Sequence, residues 1–419
     1  MRRFAYPKET LTMIDDKTLP YHLKPIKPKP LEVEEQAQVN LRLNNKMMKR
    51  LQASFAKQEE DSLEALHDHL RTAMMLELST IPPYLCALYS IMEGDTTQPD
   101  YSQVFGDNAD VALTIRSVMM EEMLHFTLAG NILLATGGTP AINTGDYVPE
   151  YPTALPDSAG LFQVHLSKMD RDAISTFLRI ERPTPEDAEP KFEGYNTIGQ
   201  FYHAIERMMT RMELAHQSQG KTIFTGDPAR QIDAKYYYGG GGEIVAVTNL
   251  EEAKAAIEVI LEQGEGSEMS IYDTDHSEFG QIRELAHFFK FNEIFEERRY
   301  ASCQVNPKSA PDGPELRVKY DQVYNMAQDP KTVDYPTQAL KRASHAFNLM
   351  YRQLLDDLQA AFMGEPERLI QAVAYMYKLK YHAVALMRNP IPGKRVNAGP
   401  TFEFLSDQEV AKIKQEFGL

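Results

Sequence analysis

Apolar residues recur at three- and four-residue steps in several long stretches of this chain, a spacing that puts them on one face of a helix. In 61–92 the stripe is Leu63, Leu66, Leu70, Met74, Leu78 and Ile81, and Pro82-Pro83 is expected to interrupt it because proline lacks the N–H that bonds four residues back. In 109–136 it is Val111, Ile115, Val118, Met119, Leu124, Leu128, Ile132 and Leu133, stopping at Gly137-Gly138. Further helical patterns cover 196–216, 250–263, 277–297, 338–363 and 366–388, with a short helix closing the chain. The long proline-containing connection over 139–195 includes the alternating LFQVHL (161–166), which predicts one strand. KYYYGGGGEIVAV (235–247) reads as a turn into another short strand. Residues 1–60 are polar, and LPYHLKPIKPKP (19–30) predicts an extended arm. The expected layout is an N-terminal extended arm (1–60), a helical unit (61–300) and a C-terminal helical elaboration (301–419) packed on it.

Composition narrows the function classes. The 419 residues carry a net charge of −16, which works against a nucleic-acid or anionic-membrane surface. The 43% apolar content is that of a globular chain, and no run approaches a bilayer-spanning length. The start has two arginines with no apolar stretch behind them, so a secretory signal is not expected. Two cysteines, Cys86 and Cys303, make no disulfide framework and suit a reducing, cytoplasmic compartment.

The informative residues are acids inside apolar helical stripes, because a carboxylate in a dry core is costly unless paired or bound to a metal. Glu77 lies between AMML and LSTI. Glu122 lies in VMMEEMLHF with His125 three residues on, and Glu284 in RELAHFF with His287 three residues on. Three-residue spacing brings both side chains to one helix face, where they can reach one ion. Chance gives about 1.6 acid-x-x-His pairs for 60 acids and 11 histidines, and five are present. The other three, at Glu64/His67, Glu213/His216 and Asp273/His276, sit in polar or helix-start surroundings. Glu121 is expected to face solvent. Glu77, Glu122/His125 and Glu284/His287 plus one more carboxylate complete the donor set of a dinuclear carboxylate bundle. Glu265 and Glu206 are the two candidates for that last position. Tyr84, Tyr89 and Tyr202 are read as packing residues, with electron or proton relay as the alternative.

LELSTIPPYLCALYSI (76–91), EEMLHFTLAGNILLATGGTP (121–140), NTIGQFYHAI (196–205), LEQGEGS (261–267), ELAHFFKF (284–291) and NAGPTFEFL (397–405) together resemble the ferritin-like family named after iminophenyl-pyruvate dimer synthase, found within proteins of violacein- and rebeccamycin-type pigment biosynthesis. The resemblance spans about residues 61–405. It implies a mainly α, ferritin-like four-helix bundle with additional C-terminal helices and small β pieces in the crossover. It also implies a ligand role for Glu77, Glu122, His125, Glu284 and His287, with Glu265 in the matching QGEG. The expected activity is a dinuclear metal oxidase, with iron as the metal and manganese sharing the ligand set. Dioxygen and a small organic molecule of secondary metabolism are its expected partners, and a homo-oligomer is allowed. The alternatives are an iron-handling ferroxidase, a haem-dependent imine-coupling enzyme and a metal-free scaffold whose acids pair with Arg116, Arg207 or Arg283.

Overall fold

The computed structural model describes residues 61–94, 104–185, 187–237, 241–266, 270–272, 284–301, 306 and 308–418. The expected N-terminal arm, and residues 277–283 of the expected 277–297 helix, lie outside the described residues.

Helix α1 (Leu63–Ser90) begins where the Ser62 hydroxyl accepts the Ala65 N–H at 3.2 Å, satisfying a donor that every helix start leaves over. It runs unbroken through Pro82 and Pro83, which corrects the expected interruption. Pro83 deprives the Ser79 carbonyl of its helical donor, and the Tyr151 hydroxyl replaces it at 2.8 Å. Helix α2 (Ala109–Ala135) stops at the expected glycines. There Gly137 donates to the Leu134 carbonyl at 3.0 Å and Gly138 to the Leu133 carbonyl at 2.9 Å, with Gly137 at φ 85°. This cap needs a left-handed residue, which glycine supplies without strain.

A helix that the sequence pattern left inside the crossover follows: α3 (Arg171–Ile180), started by Asp170, which accepts the Ala173 N–H at 2.9 Å. Helices α4 (Ile198–Gln217) and α5 (Leu250–Glu265) lie close to their expected positions. Helix α6 (His287–Glu296) starts at His287, so Glu284 precedes the helix instead of lying one turn inside it. Helices α7 (Gln338–Phe362), α8 (Arg368–Met387) and α9 (Asp407–Phe417) complete the chain.

Helix α1 packs along α2, α2 on α5, α5 on α4 and α4 on α1, closing a four-helix bundle. The short α6 rests on α2, α5 and α3, while α7 and α8 pair and α8 packs on α1. The α1 stripe from Leu66 to Ile81 is buried, as is the α2 stripe. Over 121–135, α2 is buried on every side, the mark of a helix at the centre of its fold. Among the described residues neither expected β piece is a strand: LFQVHL makes one isolated bridge, Val164 with Thr153, and residues 243–247 make none. No helix among them is long and apolar enough to cross a membrane.

Candidate metal centre

Four elements bring five donor side chains together in the bundle interior. Helix α1 supplies Glu77, α2 supplies Glu122 and His125, the residue ending α3 supplies Glu181, and the first residue of α6 supplies His287. All five are buried, none more than 4% exposed. His287 Nδ1 lies 2.9 Å from Glu122 Oε1 and 3.4 Å from Glu181 Oε2. His125 Nδ1 lies 3.8 Å from Glu77 Oε2 and 3.7 Å from Glu122 Oε1. Glu122 therefore stands between the two imidazoles, whose rings are 5.2 Å apart and nearly parallel at 26°.

The fit of these groups to cations can be tested on the geometry. Two ligand atoms on one ion at about 2.1 Å, subtending 90–110°, sit roughly 3.0–3.4 Å apart. The His287 separations match that range. His287 Nδ1 is fully buried and makes no hydrogen bond despite its close carboxylate oxygens, a position that a cation between them would satisfy. Ligand atoms of Glu122, His125 and His287 all lie within 4.8 Å of one another. Among the described residues no lysine or arginine pairs with Glu77, Glu122 or Glu181. Three carboxylates and two imidazoles form the donor set that hard and borderline divalent ions take.

The electrostatics carry the same message. Burial pushes the Glu77 carboxyl well above the usual carboxylate range, and nearby Glu122 adds to the effect. Burial and Glu122 raise Glu181 as well. Burial, helped by His287, pulls His125 down to about 3, so it stands neutral, the form that ligates. Burial also disfavours charge on His287, but Glu181 and the surrounding Glu121 and Glu122 carboxylates outweigh it and raise its imidazole well above the ordinary value. Such mutual opposition is what a bound cation relieves.

Hydroxyls and an amide hold the donors in place. Tyr202 donates to Glu77 and Tyr84 to Glu181. The Thr80 hydroxyl lies 2.6 Å from Glu122 Oε2. Gln263 Oε1 meets His125 Nε2 at 2.9 Å. Burial and the adjoining carboxylates keep both tyrosines protonated, their values raised well above the ordinary phenol.

The remaining expected residues are placed elsewhere. Glu284 is 3.1 Å from Lys290 Nζ and does not join the five. Glu265 lines the same pocket but accepts the Thr184 N–H and hydroxyl, each at 2.8 Å, and the Gly199 N–H at 2.9 Å, closing the start of α4. Glu206, a third exposed, faces outward beside His203 Nδ1 at 3.6 Å. Arg207 reaches Glu189 on the surface, at 3.9 Å. Glu121, expected in solvent, is 1% exposed and lies 2.6 Å from both His287 Nε2 and Lys290 Nζ. Lys290 and His287 outweigh the burial penalty and hold its carboxyl down to about 2. Two features of the sequence mark Glu121 and Glu181 as enclosed. Apolar neighbours on every side of EE (121–122) imply that both acids are enclosed. Glu181 directly follows a capped amphipathic run, Asp170 to Ile180.

A pocket lined by Ile180, Ile198, Ile260 and Leu261 reaches Glu77, Glu122, His125 and Glu181. Apolar side chains thus share its lining with the acids and imidazole.

Comparison with known proteins agrees with this architecture. A protein from Lentzea aerocolonigenes named dichlorochromopyrrolate synthase is 22% identical over 383 residues, covering 80% of this chain and 35% of the relative. The chain thus spans about a third of that protein's length. A crystal structure of a ferritin like protein from Caulobacter vibrioides superposes with a TM-score of 0.51 at 22% identity, covering 81% of this chain and 98% of the other, and shares its fold. The family model described as ferritin-like matches residues 70–296, more than half of the sequence and the span that holds all five donors. The chain belongs to the ferritin-like family.

Proposed function

We propose that this chain is a non-haem dinuclear metal oxidoreductase that uses dioxygen to oxidise a small organic molecule of secondary metabolism, with iron as its metal and manganese able to occupy the same donors. The observation that carries the reading is the buried set Glu77, Glu122, His125, Glu181 and His287, with His287 Nδ1 unsatisfied among carboxylate oxygens. Glu77, Glu122, His125, Glu181 and His287 would hold the metal, with Glu122 near both imidazoles, Glu77 near His125 and Glu181 near His287. Residues 61–300 form the metal-binding bundle in this reading, with 301–419 as an elaboration packed on it. The similarity to a protein named as a synthase supports a biosynthetic role.

Bound redox metals would supply Lewis acidity and electrons to dioxygen. The chain's own residues supply the rest. Tyr202, Tyr84 and Thr80 donate to the carboxylates and hold their oxygens in fixed directions. The isoleucine and leucine side chains form the apolar part of the wall beside the donors and limit water there. The similarity to a protein named as a synthase favours an organic substrate over iron handling alone.

The test is metal analysis of the reconstituted 419-residue chain, paired with oxygen-consumption assays. About two iron or manganese ions per chain and oxygen uptake that depends on an organic molecule are expected. Fewer than one ion per chain, with a melting temperature indifferent to chelation, would remove the basis of the proposal. Uptake with ferrous iron alone followed by mineral build-up would identify a ferroxidase instead, and a Soret band a haem protein.

A further inference from the structure

The two imidazoles of the centre differ on the side turned away from the carboxylates. His125 Nε2 meets the neutral amide oxygen of Gln263 at 2.9 Å. The Gln263 amide nitrogen donates to the Gly241 carbonyl at 2.8 Å, which fixes the amide with its oxygen towards the ring. His287 Nε2 instead meets a carboxylate oxygen of Glu121 at 2.6 Å. Lys290 Nζ lies 2.6 and 2.7 Å from the two Glu121 oxygens and 3.1 Å from Glu284, so the lysine is enclosed by acids and its charge sustains that of Glu121. In both cases the partner atom only accepts, so each Nε2 carries a proton and, with a cation bound, Nδ1 is the nitrogen on the metal side.

We propose that Glu121, braced by Lys290, and Gln263 are positioning residues that fix the two ring tautomers and make the halves of the centre unequal, so that the His287 half takes up a divalent cation before the His125 half. The inference rests on the dinuclear reading of the same centre. Two independent observations carry the inequality. A carboxylate partner makes an imidazole a stronger donor than an amide partner does. The His287 half also stands at ligand-shell spacing, 2.9 and 3.4 Å, while the His125 half is wider at 3.7 and 3.8 Å and must draw in on binding. Pre-formed spacing avoids that reorganisation cost.

The experiment titrates the chelator-stripped 419-residue chain with cobalt(II), followed by visible absorption and calorimetry, for the wild type, Glu121→Gln and Gln263→Met. The wild type is expected to bind two ions in steps at least about tenfold apart. Glu121→Gln should weaken the first step by about 10–100-fold, the usual effect of losing an outer partner of a ligating histidine, and bring the steps together. Gln263→Met should weaken only the second. Two ions bound in steps that Glu121→Gln leaves unchanged, or lowers equally, would overturn the inference and leave the dinuclear reading intact. No cobalt uptake by the wild type would overturn both. Should Glu121→Gln fail to fold, nitrogen-15 histidine spectra of the zinc-loaded wild type decide. Protons on Nε2 of both rings, with the His287 proton further downfield, support the assignment, and a proton on either Nδ1 refutes it.

Discussion

Replacing Glu77 with glutamine separates the cost of the centre's charge from its use. Glu77 Oε2 and Glu122 Oε1 lie 3.8 and 3.7 Å from the same His125 nitrogen, so they are no more than about 7.5 Å apart. At that distance two unit charges repel by about 2 kcal/mol for an effective dielectric of 20. Burial of the charge is the larger part of the penalty, and with Glu122 it raises the Glu77 carboxyl well above the usual range. Glutamine keeps a carbonyl to accept from Tyr202 and fills the same volume, so the substitution removes the buried charge together with its repulsion. Metal-free Glu77→Gln is therefore expected to be more stable than the metal-free wild type by about 2 kcal/mol, or roughly 2–4 °C in melting temperature for a chain of this size. Added metal reverses the order: at a hundredfold excess over its dissociation constant it stabilises the wild type by about 2.7 kcal/mol, and the variant, lacking one charged donor, by much less. Scanning calorimetry with chelator and then with cobalt(II) reads both comparisons. If the metal-free variant melts below the wild type, or if both respond equally to metal, the reasoning that the buried charge awaits a cation is wrong.

Three other expectations concern the scaffold. His69 stacks on Phe192 with centroids 3.7 Å apart, and burial pulls it down to about 4. An unfolded histidine near 6.5 binds a proton that the fold refuses, so this contribution is complete above pH 6.5 and declines towards pH 4, by up to about 3 kcal/mol. Denaturant titrations of wild type and His69→Phe should differ in slope over that interval, and parallel pH profiles would refute the assignment. A methyl at Gly130 would fall 2.4 Å from the Phe362 ring, so Gly130→Ala should cost about 1–3 kcal/mol despite its gain in helix propensity. Adding Phe362→Leu should recover part of it, and simple additivity in the double-mutant cycle would deny the contact. Glu265→Ala removes the acceptor at the start of α4 and should cost about 2 kcal/mol with cobalt(II) stoichiometry unchanged, whereas a lost ion would move Glu265 into the ligand shell.

The difference between what the chain's pattern disclosed and what it concealed follows from how far each signal reaches. Glu77, Glu122 and His125 sit in helices of 28 and 27 residues whose apolar stripes are long enough to establish period and face, so an acid on the wrong face stands out. Glu181 sits at the end of a ten-residue helix inside a proline-containing crossover, where so short a stripe competes poorly with turn signals. The helical stripes therefore direct the fourth carboxylate to α4 and α5, where Glu206 faces outward and Glu265 closes a helix start. The Glu284/His287 pairing fails for a related reason. Three-residue spacing implies a shared face only when both residues are helical, and α6 begins at His287, which sends Glu284 to Lys290. Pro82-Pro83 makes the converse point: the local rule predicts a break, but Tyr151, 72 positions away from the orphaned Ser79 carbonyl, supplies the missing donor and the helix continues. Periodicity reports what lies on one face of one helix. A centre drawing on four elements takes its other donors from wherever a neighbouring segment ends against it, and tertiary packing decides that position.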